Sequence, residues 1–338
     1  MRILSRYIND QFFSSTIAFF VPLFGIASLI FFIKLVSITA LLQLSFFELI
    51  KLYIFTFPQI LFFTLPVVFF AASVAMMHRL SFEYEMVALF SLAISPYQII
   101  KHLGKLAAIL SLFMLIFSLI LMPQAKQLFK GFIVYKRAQA KLNIKPSEFG
   151  HKFGDWYLFI GNKEKDIYHN VTLYNHNFEG RENFILAQNA HLFNEKDGLA
   201  LLLHNGNAYS YEKNELKEIH FEKMKIYDTG TGKIFHYTNP FDYWLISLKS
   251  KKRAFDFTLF VLFSLFPLFS LFYAGILGIG NPRFERKGVF IATLGIMALF
   301  FGIAFALAKA FTFYALLFLP LWLGIGALLF HKLIAKRY

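Results

Sequence analysis

The layout of its apolar sequence constrains this chain more than any other feature. Three long, almost uncharged runs rich in Phe and Leu precede a polar stretch at 123–256, and three more follow it. The runs lie at about 12–33, 52–77 and 98–122, then at 257–279, 288–308 and 311–332. At 1.5 Å per residue, about 20 apolar residues cross the hydrocarbon core of a bilayer. Charged residues make up only 16% of the chain and Phe alone fills 46 of 338 positions, whereas soluble domains carry roughly a quarter charged residues. The fold class expected is an integral membrane α-helical bundle of six transmembrane helices. A water-soluble domain is inserted after the third crossing, an odd number, so it lies across the membrane from the N-terminus.

Local signals refine this plan. Residues 1–11 place Ile3, Leu4, Tyr7 and Ile8 on one helical face, as in a short helix lying at the headgroup level. No small-residue cleavage site precedes the first run, which is expected to be a retained span. Pro58 and Pro66 predict a kink in the second run. Met122-Pro123 closes the third. The last two spans, joined around Lys309, predict a tight antiparallel hairpin. Basic residues of the short connections gather on one side: Arg2 and Arg6; His78, Arg79, Lys101 and Lys105; Arg283, Arg286 and Lys287; Lys332, Lys336 and Arg337. The other side has only Lys34, Lys51 and Lys309. The positive-inside rule makes the first set, and both termini, cytoplasmic.

The insert is expected to be β. Short apolar or alternating runs at 155–160, 167–174, 184–187, 191–193, 199–203 and 208–211 are separated by Gly161-Asn162, Glu179-Gly180, Asp197-Gly198 and Asn205-Gly206. Such turn chemistry between short strands suggests a sandwich or jelly roll. Residues 123–145 extend the third span as a helix ending at Pro146, and 236–256 return the chain to the membrane. The division expected is 1–122, 123–256 and 257–338.

Much chemistry is missing from this sequence. The formal net charge is +14, but the basic residues flank apolar runs or are diluted through the insert, so no nucleic-acid footprint emerges. There is no cysteine, and no HExxH, GxSxG or DxDxDG pattern. Gly230-Thr-Gly-Lys233 lacks the earlier glycine and the Ser or Thr after lysine that a phosphate-binding loop needs. The histidines of the insert show no ligand spacing with a carboxylate, so no metal site and no cofactor are expected. Energy for any driven process must come from another chain.

The connection between the second and third spans is the richest site. Ser81 reads as an N-cap, with Glu83 and Glu85 in the first turn, where the helix dipole favours negative charge. Ser95-Pro96 starts the third span. A helix over about 82–94 would lie along the inner membrane face. It is either an interfacial connector or a coupling helix. As a coupling helix it would offer Glu85 to a basic groove on a cytoplasmic motor, with Met86, Leu89 and Phe90 exposed to fill a pocket there.

Arg6-Tyr-Ile8, Thr64-Leu-Pro66, Glu85-Met-Val-Ala-Leu89 and Ser95, in that order within the six-span layout, resemble the LptF/LptG permeases over essentially the whole chain. Asn281-Pro282-Arg283 is more like the LptF half. The family pattern has a basic residue where this chain has Phe90 and a glycine where it has Ala93. The resemblance implies a permease subunit of an ABC-type lipopolysaccharide exporter in a Gram-negative inner membrane, with the insert a periplasmic β-jellyroll-like domain. It implies an LptG-like second half, two LptB-like ATPase subunits that use the ATP, and transfer of lipopolysaccharide to LptC and an LptA-like bridge. The subunit itself would be no enzyme, and Glu85 would be the coupling acid. Lys34, expected to end the first span, and Lys309 on the same side would face the lipid phosphates. Lys34 reads equally as a snorkelling lysine at the membrane edge. The alternative function is a membrane-anchored envelope-lipid enzyme, or a scaffold with a periplasmic β-domain.

Overall fold

The computed structural model describes residues 2–42, 44–142, 151–153, 155–164, 167–176, 182–195, 198–212, 215–227, 238–246, 250–281 and 288–337. Pro146, Glu179-Gly180, Asp197, Gly230–Lys233, Pro282-Arg283, Arg286 and Lys287 lie outside the described residues. Two compact units result. One comprises 1–37, 47–128 and 238–338, the other 38–46 and 129–237. Residues 123–128 and 238–256, assigned to the insert from sequence, therefore belong with the helices.

In the helical unit, α1 (Arg2–Leu42) is one continuous helix. The expected headgroup-level segment and the first span are not separate, because no glycine or proline interrupts residues 2–21. Ile8 and Phe12 are buried, and Phe12 packs on Phe69 of α2 (Phe46–Phe82) at a ring separation of 5.1 Å. Inside α2, Thr56, Thr64 and Ser73 donate their hydroxyls to carbonyls four residues earlier at 2.8–2.9 Å. That satisfies them where no water reaches. A short helix, α3 (Glu85–Ser91), precedes α4 (Pro96–Ile116).

A π-turn over Phe117–Leu121 joins α4 to α5 (Met122–Leu142). Ser118 in that turn meets the Ser264 hydroxyl at 3.2 Å, and the freed Leu119 carbonyl accepts the Trp244 indole N–H at 2.7 Å. Trp244 belongs to α6 (Pro240–Leu245). The next crossing is broken: α7 (Lys251–Phe269) and α8 (Leu271–Gly278) meet at Ser270 with a 42° bend. Trp322 fastens the break. Its indole N–H donates to Ser270 Oγ at 3.1 Å, its carbonyl accepts from the Tyr273 hydroxyl at 3.0 Å, and its ring stacks on Tyr273 at 4.5 Å.

By length and apolarity, four continuous helical stretches can cross a membrane, and the bent pair makes a fifth. The last stretch, Val289–Ala335, is 47 residues and would be about 70 Å long if straight. It folds back at Thr312, whose φ is 46°, between α9 (Val289–Phe311) and α10 (Phe318–Phe330). Phe300 consequently lies 5.3 Å from both Phe318 and Trp322, contacts impossible along a single rod. The expected hairpin is present with its turn beyond Lys309, which divides that last stretch and gives six apolar segments among the described residues.

The other unit holds one six-stranded antiparallel sheet in chain order: β1 (His151–Phe153), β2 (Trp156–Glu164), β3 (Ile167–His176), β4 (Glu182–Glu195), β5 (Gly198–Glu212) and β6 (Glu215–Tyr227). Gly161-Asn162 and Asn205-Gly206 are not turns but lie inside long strands. Pairing passes from Ile160↔Val171 to Asn162↔His169, from Val171↔Ala187 to His169↔Asn189, and from Gly206↔Phe221 to His204↔Lys223. The skipped residues Gly161, Asn170, Gln188, Asn205 and Glu222 form one line across the sheet. Asn170 and Asn205 there have φ of 53° and 50°. Burial confirms a parity change at this line: Tyr168, Val171 and Leu173 are all buried in β3. The register is the same on both sides of the line, so no strand carries an extra residue there; one residue of each strand from β2 to β6 drops out of the pairing, and the sheet is creased along that line. Among the described residues, the enclosed core consists of strand residues. Gly206 allows the fold, since a Cβ there would sit 2.2 Å from the Leu186 carbonyl oxygen and 2.6 Å from the Phe221 ring.

Candidate functional site

The site with the most sequence signal lies where α2 ends. That helix continues to Phe82, so Ser81 is not an N-cap. Ser81 is buried, donates to the Gly278 carbonyl at 3.1 Å and accepts the Gly280 N–H at 3.3 Å. It clamps the end of α2 to the end of α8. Glu83 is exposed in the following turn rather than within a helix. Tyr84, with φ 61°, reverses the chain, and Glu85 opens α3.

The far end of α3 is closed by Ala93 at φ 59°. The Ile94 N–H reaches the Leu89 carbonyl at 3.2 Å and the Ala93 N–H reaches Phe90 at 3.0 Å. This is a Schellman stop, whose left-handed residue is usually glycine. Two left-handed residues therefore bracket α3 and fix its direction.

Burial corrects the expected docking face. Met86 is only 1% exposed and is sunk in the helical core, while Leu89 and Phe90 are half-buried against that core. These three residues anchor α3 and are not free knobs. The apolar side chains turned outward are Phe82, Tyr84, Val87 and Leu92, the last 73% exposed. Sequence reasoning missed them because it assumed an α3 longer than it is.

Glu85 is half-buried and accepts a hydrogen bond on Oε2 from the Tyr7 hydroxyl of α1. Arg79, one turn before the end of α2, has a buried Nε with no hydrogen-bond partner among the described residues. Nearby, Asn9 Oδ1 meets His102 Nε2 at 2.8 Å, tying the start of α1 to α4.

Lys34 does not end its helix, since α1 continues to Leu42; it is exposed along the rod. Lys309 is exposed in the last turn of α9, where the helix dipole favours a cation. No contact joins the two lysines among the described residues.

A polar collar where the insert leaves and rejoins the helices was not foreseen. Gln127 pairs with the Thr238 backbone, donating to its carbonyl at 3.0 Å and accepting its N–H at 2.8 Å. Lys126 meets Asp256 at 3.2 Å. Arg253 lies over the Tyr243 ring at 4.5 Å and donates to its carbonyl at 3.1 Å. Burial, helped by Asp256 and opposed by Arg253, pushes the Tyr243 phenol above its usual range. Among the described residues no three His, Asp or Glu side chains gather as metal ligands.

A family model described as lipopolysaccharide export system permease LptF/LptG matches residues 6–334. No curated protein matches the chain.

Proposed function

Because the chain belongs to the LptF/LptG family of lipopolysaccharide export permeases, and is thus a multi-pass inner-membrane transport subunit, we propose that it is one half of an ABC-type exporter driven by a separate ATPase. In this reading the subunit pairs with a second, LptG-like half on two LptB-like ATPase subunits, which bind the ATP. Lipopolysaccharide is extracted from the inner membrane and leaves through the creased β-sheet toward LptC and an LptA-like bridge. In this reading the termini and α3 face the cytoplasm and the sheet faces the periplasm, an orientation supported by the gathering of basic residues in the short connections on one side.

One observation carries the coupling role. A short helix, fixed at both ends by left-handed residues and anchored by Met86, carries Glu85 at the same end of the bundle as the outward-facing Phe82, Tyr84, Val87 and Leu92. A carboxylate beside an apolar patch suits a partner groove with a basic residue next to a pocket. Each apolar side chain covered there contributes about 1.5–3 kcal/mol. A tagged copy should co-purify with an ATPase and a similar six-span chain, and Val87→Asp should release the ATPase while keeping the second permease half. Purification of the chain without an ATPase would refute the reading.

A further inference from the structure

We infer that the Tyr7 hydroxyl is the positioning group for the Glu85 carboxylate, holding the coupling acid in place with a neutral donor so that its charge stays available to the motor. This inference rests on the coupling reading of Glu85 given above. Arg6-Tyr-Ile8 is part of the sequence pattern at the start of the chain, yet nothing in the transport reading so far uses the tyrosine.

Three observations support it. First, Tyr7 is not on a loose arm. It packs against the core beside Ile8 and Phe12, which are 2% and 3% exposed, and the same stretch of helix is held by the Asn9–His102 bond of 2.8 Å. A hydroxyl set on such a base has a fixed position. Second, the bond occupies only Oε2 of Glu85. A carboxylate can accept about four hydrogen bonds, and among the described residues Oε1 accepts none. One oxygen is steered and the other is left to receive a partner. Third, no described cation lies within ion-pair distance of Glu85, although Arg79 sits close by in sequence and its buried Nε has no hydrogen-bond partner among the described residues. Had Arg79 closed on the acid, the pair would be electrically satisfied and would offer little to a basic groove. A phenol orients the carboxylate without neutralising it.

The bond also joins two elements far apart in the chain. Tyr7 belongs to α1, the continuous rod that runs to Leu42, and Glu85 opens α3. Displacement of α3 by a partner is therefore felt at the base of α1, and a shift of α1 alters the aim of the acid.

The test uses the complete complex of this chain with its second permease half and ATPase, reconstituted in liposomes containing lipopolysaccharide. ATP hydrolysis per molecule of lipopolysaccharide released is measured for wild type, Tyr7→Phe, Glu85→Gln and the double variant. Tyr7→Phe keeps the packed ring and removes only the donor. It should lower coupled release roughly tenfold, the usual consequence of losing a hydrogen bond to a charged group. In the Glu85→Gln background the same change should have no further effect, because the tyrosine acts only through the acid. Tyr7→Phe behaving as wild type while Glu85→Gln fails overturns the positioning role and leaves the coupling reading intact. Equal loss from Tyr7→Phe in both backgrounds shows a packing role only and overturns it too. Wild-type coupling in Glu85→Gln overturns the coupling reading itself.

Discussion

A close contact between α8 and α2 gives a sharp stability test. A Cβ added at Gly278 would lie 2.5 Å from Met77 Cβ, 3.0 Å from the Val74 carbonyl oxygen and 3.3 Å from the His78 nitrogen. Nonbonded atoms prefer about 3.5–4.0 Å. None of the three neighbours is the end of a flexible side chain, so α8 must back away from α2 by about 1 Å or more. Overpacking of this kind costs about 1–3 kcal/mol. The same movement stretches the two Ser81 hydrogen bonds to Gly278 and Gly280, each worth about 1 kcal/mol. Gly278→Ala should therefore lose about 2–4 kcal/mol. Gly302→Ala is the matched control: its Cβ would meet nothing within 4 Å, and alanine gains up to about 1 kcal/mol of helix propensity. Reversible unfolding of the purified chain in mixed micelles, followed by tryptophan fluorescence and circular dichroism, measures both. Wild-type stability in Gly278→Ala, or an equal loss in Gly302→Ala, would refute the packing argument.

Other outcomes follow from single residues. Ala93→Gly relieves a left-handed alanine and should stabilise α3 by about 1 kcal/mol, seen as slower amide exchange at Leu92–Ile94; unchanged exchange would contradict the Schellman assignment. Gly206→Ala drives a Cβ into the Leu186 carbonyl and should raise amide exchange throughout β4 and β5 while α2 stays protected; uniform exchange changes would sink the crease argument. Lys34→Glu should weaken photocrosslinking of lipopolysaccharide more than Lys51→Glu does, and equal crosslinking would remove Lys34 from the lipid path.

The sequence made the spans legible because a bilayer demands some twenty apolar residues in a row, and no soluble pattern imitates six such runs. The strand boundaries were less legible. Gly161-Asn162 and Asn205-Gly206 carry the chemistry of hairpin turns, yet the same tolerance for left-handed backbone serves a crease inside a strand, and only pairing on both sides distinguishes the two. Strand β6 escaped notice because Glu and Lys dominate it; as an edge strand it gains from charge, which deters pairing with other chains. At the coupling end, Ser81 looked like a cap because it precedes two acids. The decisive partners, Gly278 and Gly280, are almost two hundred residues away. Met86 looked like a knob for the same reason: the core that buries it is built from distant helices. Glu85 opens α3, and its bond to Tyr7 is a tertiary fact with no local signal.

Transport of lipopolysaccharide by the assembled complex tests the central claim most directly. Liposomes carrying this chain, its second permease half and the ATPase should release lipopolysaccharide to a periplasmic acceptor only with ATP. Glu85→Ala should abolish that release while the chain still inserts in the membrane. Release that continues at the wild-type rate in Glu85→Ala, or that proceeds without this chain, would contradict the account.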